Sequence, residues 1–166
     1  RRLYYAIQDL DTYNIDTTGF FQNFPNAFKR MYLYKAGEDQ AKSIIEGLSQ
    51  LQDDVVMRRE KALVYRELLS SLTIEHPKVK FDESAFWRYS FLVNDDARTL
   101  ANQIREVGID ASNWYPNIAP WYGHSNRLEN AMYVQQHVLN LWTDTSKSIS
   151  EVRADCRKIN EILRGM

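Results

Sequence analysis

The residues able to do chemistry in this 166-residue sequence are few and scattered. Three histidines stand at His76, His124 and His137, with no i, i+4 pair among them, so a zinc-type site would need carboxylates gathered from far apart in the chain. A single cysteine, Cys156, excludes an internal disulfide framework and any centre built from several thiolates. It falls on the apolar face of a C-terminal helical pattern, where a thiol acts as a small hydrophobic group. Gly108 and Gly123 are isolated, and neither a G-x-G-x-x-G nor a Walker pattern is present to cradle phosphate. No G-x-S-x-G elbow supports a serine nucleophile. The acidic pairs Asp53-Asp54 and Asp95-Asp96 read as solvated or capping groups, and Arg58-Arg59 as a solvated helix face. Lys35, beside an aromatic stretch, lacks the acidic or phosphate-binding context that a Schiff-base lysine needs. These residues compose no self-contained active site and no metal site.

One segment is better suited to binding. Trp114, Tyr115, Pro116, Pro120, Trp121 and Tyr122 form an aromatic, proline-stiffened loop. Flat side chains with few rotatable bonds offer contact area at low entropic cost, and a sugar or base face fits them. The candidate substrate-binding residues are therefore Trp114, Tyr115, Pro116, Trp121 and Tyr122. The competing explanation is that two of the four rings are simply core beneath a loop.

The elements that must position this loop follow from periodicity. From about Gln40 to Leu72 the apolar residues Ile44, Ile45, Leu48, Leu51, Val55, Ala62, Leu63 and Leu69 recur at helical spacing without a proline. This predicts a helix or helix pair longer than a small domain requires. Val79 to Phe81 and Phe86 to Val93 read as strands, with Trp87, Tyr89 and Phe91 suited to a pleated surface. Asp95 or Asp96 can cap a helix through Leu100, Ile104 and Val107, and Gly108 stands where a left-handed C-terminal cap belongs. Ile109 to Tyr115 is a short strand stopped by Pro116, Arg127 to Gln136 a helix and Val138 to Trp142 a strand. Ser148 with Glu151 forms a capping box for a last helix whose apolar face carries Val152, Cys156, Ile159 and Ile162. The sum is an α+β fold: a long helix leading into a small, mostly antiparallel sheet packed with helices.

Composition bounds the function. With 21 basic and 22 acidic side chains the formal net charge is −1, which argues against nucleic acid, whose phosphates call for a clustered basic excess. No stretch approaches the roughly 20 apolar residues of a membrane span. No secretory or lipidation signal is seen, which with the lone cysteine points to the cytoplasm. Residues 1–36 are an irregular lead-in whose Phe20, Phe21, Phe24 and Phe28 read either as packing on another part of the protein or as a local core. Residues 37–166 form the domain proper. The opening Arg1-Arg2-Leu3, without methionine, is what a piece of a longer protein would show.

Three stretches in order carry a resemblance. Ile44 to Leu51 (IIEGLSQL), followed by Arg58-Arg59 and Tyr65 to Leu68, is similar to the "AAxGLxQL…R…Y…L" helix of the DegT/DnrJ/StrS-type sugar aminotransferases. Gly108 to Pro116 (GIDASNWYP), after a helix with Leu100 and Ile104, resembles that family's "L…L…GI…HYP" stretch. Val138 to Trp142 (VLNLW) and Ser148 to Val152 (SISEV) resemble its "L-x-LP…T-x-E-E-V" ending. The likeness covers about Gln40 to Leu163. It implies the C-terminal small domain of a homodimeric, fold-type-I enzyme that uses pyridoxal phosphate to move an amino group onto a nucleotide-linked keto sugar. It also implies a large N-terminal domain, absent from this chain, that carries the cofactor lysine. The chain alone would then hold no catalytic residue and no cofactor.

The departures are specific. The family's "N-Y-R", which reaches the neighbouring subunit's cofactor phosphate, would fall near Ala36 to Glu38, where neither Asn nor Arg occurs and Glu38 would repel a phosphate. The histidine of "HYP" is Trp114, the following "P-L-H" looks like Pro120-Trp121-Tyr122, and the proline of "LP" is Trp142. Two other readings fit the same residues: a non-enzymatic α+β module whose aromatic loop binds a ligand or protein, and a family member that has lost catalysis.

Overall fold

The computed structural model describes residues 37–69, 73–115 and 128–165. Helix α1 spans Glu38–Leu68. Glu38 and Asp39 lie in its first turn, where carboxylates complement the positive helix end, and the Gln40 side chain accepts from the Gly37 N–H at 2.9 Å. The helix changes character along its length. Ile44, Ile45, Leu48 and Leu51 are each more than half exposed, whereas Lys61, Ala62, Val64 and Tyr65 are buried. Only the C-terminal half of α1 belongs to the core described here.

Four strands follow: β1 (Ile74–Glu75), β2 (Arg88–Val93), β3 (Ala111–Ser112) and β4 (Val138–Trp142). They form one sheet in the order β1-β2-β4-β3, every pair antiparallel. Between them lie α2 (Ala97–Glu106) and α3 (Glu129–His137), and α4 (Ile149–Arg164) closes the described fold. β2 alternates half-buried and buried residues, as period-2 geometry requires. Tyr89, Phe91 and Val93 join Leu139, Leu141 and Ala111 on the inner face, against Val64 and Tyr65 of α1, Leu100 and Ile104 of α2, and Val152, Cys156 and Ile159 of α4. This is the α+β arrangement expected from the sequence.

The helix ends follow local chemistry. Asp96, not Asp95, caps α2, its carboxylate accepting from the Thr99 N–H at 2.8 Å. Gly108, at φ +83°, provides the left-handed turn after α2. Ser148 and Glu151 close the capping box in both directions, with Ser148 N–H to Glu151 Oε2 at 2.7 Å and Glu151 N–H to Ser148 Oγ at 3.3 Å. The Ser148 N–H, together with the Ser148 hydroxyl that also donates to Oε2 at 2.7 Å, holds the Glu151 carboxyl below its ordinary range. The C-terminal carbonyls of α1 are satisfied by other elements: Asn160 of α4 donates to Leu68 O at 2.6 Å, and His76 Nε2 donates to Leu69 O at 3.0 Å. That leaves His76 Nδ1 as acceptor for the Tyr89 hydroxyl at 2.8 Å.

Three expectations are corrected. Val79 to Phe81 is not a strand; the edge strand is Ile74–Glu75, paired with Val93 and Leu92. Pro77 has no N–H to extend that ladder, and Phe81 packs its ring 4.5 Å from Phe86 instead. The strand expected over Ile109 to Tyr115 is confined to Ala111–Ser112. Trp87 does not share the face of Tyr89 and Phe91: Phe86 has φ +46°, which breaks the alternation, and β2 begins at Arg88. The lead-in 1–36, with its phenylalanines and Lys35, and residues 70–72 at the expected end of the first helix lie outside the described residues.

Three outcomes follow. Burial pushes the Cys156 thiol up to about 12, so iodoacetamide at neutral pH should leave it unmodified in native protein and label it in denaturant, checked by mass spectrometry. Ser148→Ala should cost about 1 kcal/mol of stability. Because the Glu151 carboxyl is held low in the fold, its contribution is complete above the pKa of the unfolded carboxyl and is lost as pH falls through the folded value. Glu151→Gln should therefore flatten the acid limb of the urea midpoint measured against pH.

Candidate functional site

Two places bring functional side chains together. The first is the end of β3. Ser112 lies opposite Asn140, and Asn140 opposite Ser90, so these three side chains cross the outer face of the sheet in one row. Asn140 is fully buried. Its Oδ1 accepts from Ser90 Oγ at 2.6 Å, and its Nδ2 donates to Ser112 O at 3.0 Å and to Trp114 O at 3.4 Å. One amide thus ties three strands to the backbone that carries the aromatic segment. Trp114 is half-buried and Tyr115 is exposed. Pro116, Trp121 and Tyr122, with His124, lie outside the described residues.

The second place was not singled out in the sequence. The Arg88 guanidinium lies 4.2 Å from the ring centre of Trp87 and 4.6 Å from that of Trp142, inside the range of cation–π attraction. Arg88 and Trp142 are direct cross-strand partners, so register alone sets them side by side. Trp142, where the resembled family has proline, supplies one wall of this stack. Arg58 of α1 donates from Nη1 to Trp87 O at 3.4 Å, and Arg59 Nε to Ser84 O at 2.8 Å. The Arg58-Arg59 pair therefore holds the segment entering β2. Only strand pairing could reveal the stack, because Arg88 alone looks like an ordinary strand residue.

The described histidines have structural partners. His76 bridges Leu69 and Tyr89, and His137 bonds Val93 O at 2.8 Å through Nδ1. Among the described residues no group of three His, Cys, Asp or Glu side chains could hold a metal ion, and no helix is long and apolar enough to cross a membrane. An open hollow of about 250 Å³ lies beside His76, Lys78, Ser90 and Leu92, below the usual size of a site for a drug-sized ligand.

Pyridoxal phosphate finds no fit among the described residues. Lys61 is buried with Nζ donating to the Asp144 carbonyl, and desolvation lowers its pKa. Lys78, Lys80 and Lys147 pair with Glu75, Glu83 and Asp155. Lys42 and Lys158 stand exposed on α1 and α4. Lys78 borders the open hollow, but it is paired with Glu75, and His76 and Ser90 beside it are bonded to Leu69 O and Asn140; no step of cofactor chemistry is assigned to these residues.

No family model matches the sequence, and no curated protein does. Solved structures share the fold. An aminotransferase from Psychrobacter cryohalolentis superposes with a TM-score of 0.65 at 14% identity, over 76% of this chain and 38% of that one. The aminotransferase TlmJ from Streptoalloteichus hindustanus gives 0.64 at 22% identity, over 71% of this chain and 34% of that one. A DegT DnrJ EryC1 StrS aminotransferase from Brucella abortus gives 0.60 at 24% identity, over 76% and 34%. The chain spans about a third of the length of these structures. The described fold is that of a small domain of DegT/DnrJ/EryC1/StrS-type aminotransferases, as the resemblance implied.

Asn140→Ala should remove the amide donor from the Trp114 and Ser112 carbonyls and cost about 1–3 kcal/mol. Acrylamide quenching of the tryptophan fluorescence should rise in the folded variant as Trp114 loosens. Quenching and stability both equal to the parent protein would contradict this role for Asn140.

Proposed function

We propose that the chain is the C-terminal small domain of a pyridoxal-phosphate-dependent aminotransferase acting on a nucleotide-linked keto sugar, in the biosynthesis of a polysaccharide or a glycosylated metabolite. The observation that carries this reading is the fold: a long helix, then an antiparallel sheet of order β1-β2-β4-β3 backed by helices, which superposes on the aminotransferases above. In this reading a large N-terminal domain outside the chain supplies the cofactor lysine, residues 1–36 pack on that domain, and two copies of the whole protein form a cytoplasmic homodimer. The exposed Ile44, Ile45, Leu48 and Leu51 support the presence of a further domain, because a row of large apolar residues costs free energy in water.

Trp114, Tyr115, Pro116, Trp121 and Tyr122 are the substrate-binding residues of this proposal. Their rings would stack on the sugar and exclude water around it. Asn140 acts as a positioning residue by holding the Trp114 carbonyl. The chain alone binds no cofactor and catalyses nothing. One observation favours a second reading, a member of the family that has lost catalysis: Glu38 heads α1 where the family places a phosphate-reaching group.

The test is amino transfer from glutamate to a nucleotide-linked keto sugar by the full-length protein, read as 2-oxoglutarate released. Activity is expected there and not in chain 1–166. Trp114→Ala and Tyr115→Ala in the full-length protein should each raise KM for the sugar about tenfold, or about 1.4 kcal/mol. A full-length protein that binds pyridoxal phosphate but transfers nothing would establish the inactive reading. A pyridoxal phosphate adduct fixed by borohydride on chain 1–166 would overturn the placement of the lysine elsewhere.

A further inference from the structure

Helix α1 outruns the domain that holds it. Its buried residues are Lys61, Ala62, Val64 and Tyr65, and Arg58 and Arg59 tie it to the segment entering β2. Ahead of them, Glu38 to Val56 form an arm about 28 Å long at 1.5 Å of rise per residue. Ala41, Ile44, Leu48, Leu51 and Val55 alternate at steps of three and four, one line down a helix that carries Ala62 and Tyr65 into the core. Ile44, Leu48 and Leu51, with Ile45 beside them, are each more than half exposed. An open hollow of about 480 Å³ lies against Asp39, Gln40, Ser43 and Ile44 at the head of this line. The arm also bears Glu38, Asp39, Glu46, Asp53 and Asp54, with Lys42 its only basic residue. A surface that is both apolar and acidic calls for a cover that is apolar and basic.

We infer that residues 19–36 of this same chain are that cover, folded back along the arm from Gly37. Gly37 is the N-cap and has extended backbone, which takes the chain ahead of it off the helix axis. The stretch from Gly19 to Ala36 offers Phe20, Phe21, Phe24 and Phe28 to the apolar line. It offers Lys29, Arg30 and Lys35 to the carboxylates, and holds no acidic residue of its own. Reach allows the match. Phe28 stands nine residues ahead of Gly37, up to about 30 Å of extended chain, while Leu51 lies about 21 Å along the helix from Gly37. Phe24 and Phe28 therefore reach the stretch from Ile44 to Leu51, and Lys35, beside the turn, reaches Glu38 and Asp39. The inference does not rest on the proposed function, whose large domain would meet the outer side of this segment.

Hydrogen exchange followed by mass spectrometry on chain 1–166 tests it. The amides from Ile44 to Leu51 should be protected in the parent chain at every protein concentration. Phe24→Ser with Phe28→Ser should speed their exchange about tenfold, because an arm left uncovered frays. Lys29→Gln with Arg30→Gln should speed it less and remove its dependence on salt. The amides from Ala62 to Tyr65 and those of α4 should be unchanged in both variants, which shows that the domain remains folded. Equal exchange in the parent and the phenylalanine variant would overturn the inference. Protection that grows with protein concentration would overturn it in favour of a second copy of the chain. Protection found only in the full-length protein would overturn it in favour of the other domain. The two proposals fail separately. Amino transfer with exchange indifferent to Phe24 and Phe28 removes this cover and leaves the aminotransferase. Protection lost with those rings, in a protein without amino transfer, keeps the cover and removes the enzyme.

Discussion

The pairing of β2 with β4 sets the other distances in this molecule. Five antiparallel partners, from Arg88 with Trp142 to Leu92 with Val138, hold the two central strands in one register. A slip by one residue would exchange the faces of every side chain on β2. Tyr89, Phe91 and Val93 would leave the core, and Ser90 would lose Asn140. The inner face makes that register costly to leave, since it buries several large rings and aliphatic chains at roughly 25 cal/mol for each Å² removed from water. The outer face inherits it without contributing as much. Its polar row and its cation–aromatic stack exist because the inner face fixes which residues stand opposite each other.

Helix α1 shows the complementary point. Its C-terminal half is bound into the domain by hydrophobic burial, by Asn160 and His76 at its carbonyl end, and by the Tyr65 hydroxyl, which donates to Trp142 O at 3.1 Å. Its N-terminal half carries apolar residues at the same helical spacing with nothing from the described residues over them. The helix is continuous while its burial is not, which suits an element that leads from one body of a protein into another.

Much of the fold was legible in the sequence because its signals are local. Ser148 with Glu151, Asp96 with Thr99 and the left-handed Gly108 each act within a few residues, and each was found at its expected end of a helix. β4 and the apolar face of α4 follow from periodicity alone. What escaped was fixed by distant partners. β1 has two residues, too few to show alternation, and Pro77 ends it early. Trp87 looked like a partner of Tyr89 because period-2 reasoning assumes regular backbone at Phe86, where the backbone is left-handed. Asn140 carries a polar group into a buried row, against the pattern that marks strand faces, and only its bonds to Ser90, Ser112 and Trp114 explain it. Of the aromatic candidates Trp114 and Tyr115 lie among the described residues, and the tie of the Trp114 carbonyl to the sheet through Asn140 was not legible.

The most direct measurement is to read the coding sequence that precedes the codon for Arg1. The domain spans about a third of the aminotransferases it resembles, and the proposed function places the remainder of such an enzyme, with its cofactor lysine, ahead of Arg1. The expected result is an in-frame region of roughly domain length or more, with strands alternating with helices and a lysine able to hold pyridoxal phosphate. A start codon immediately ahead of Arg1 would contradict it and leave an independent binding module.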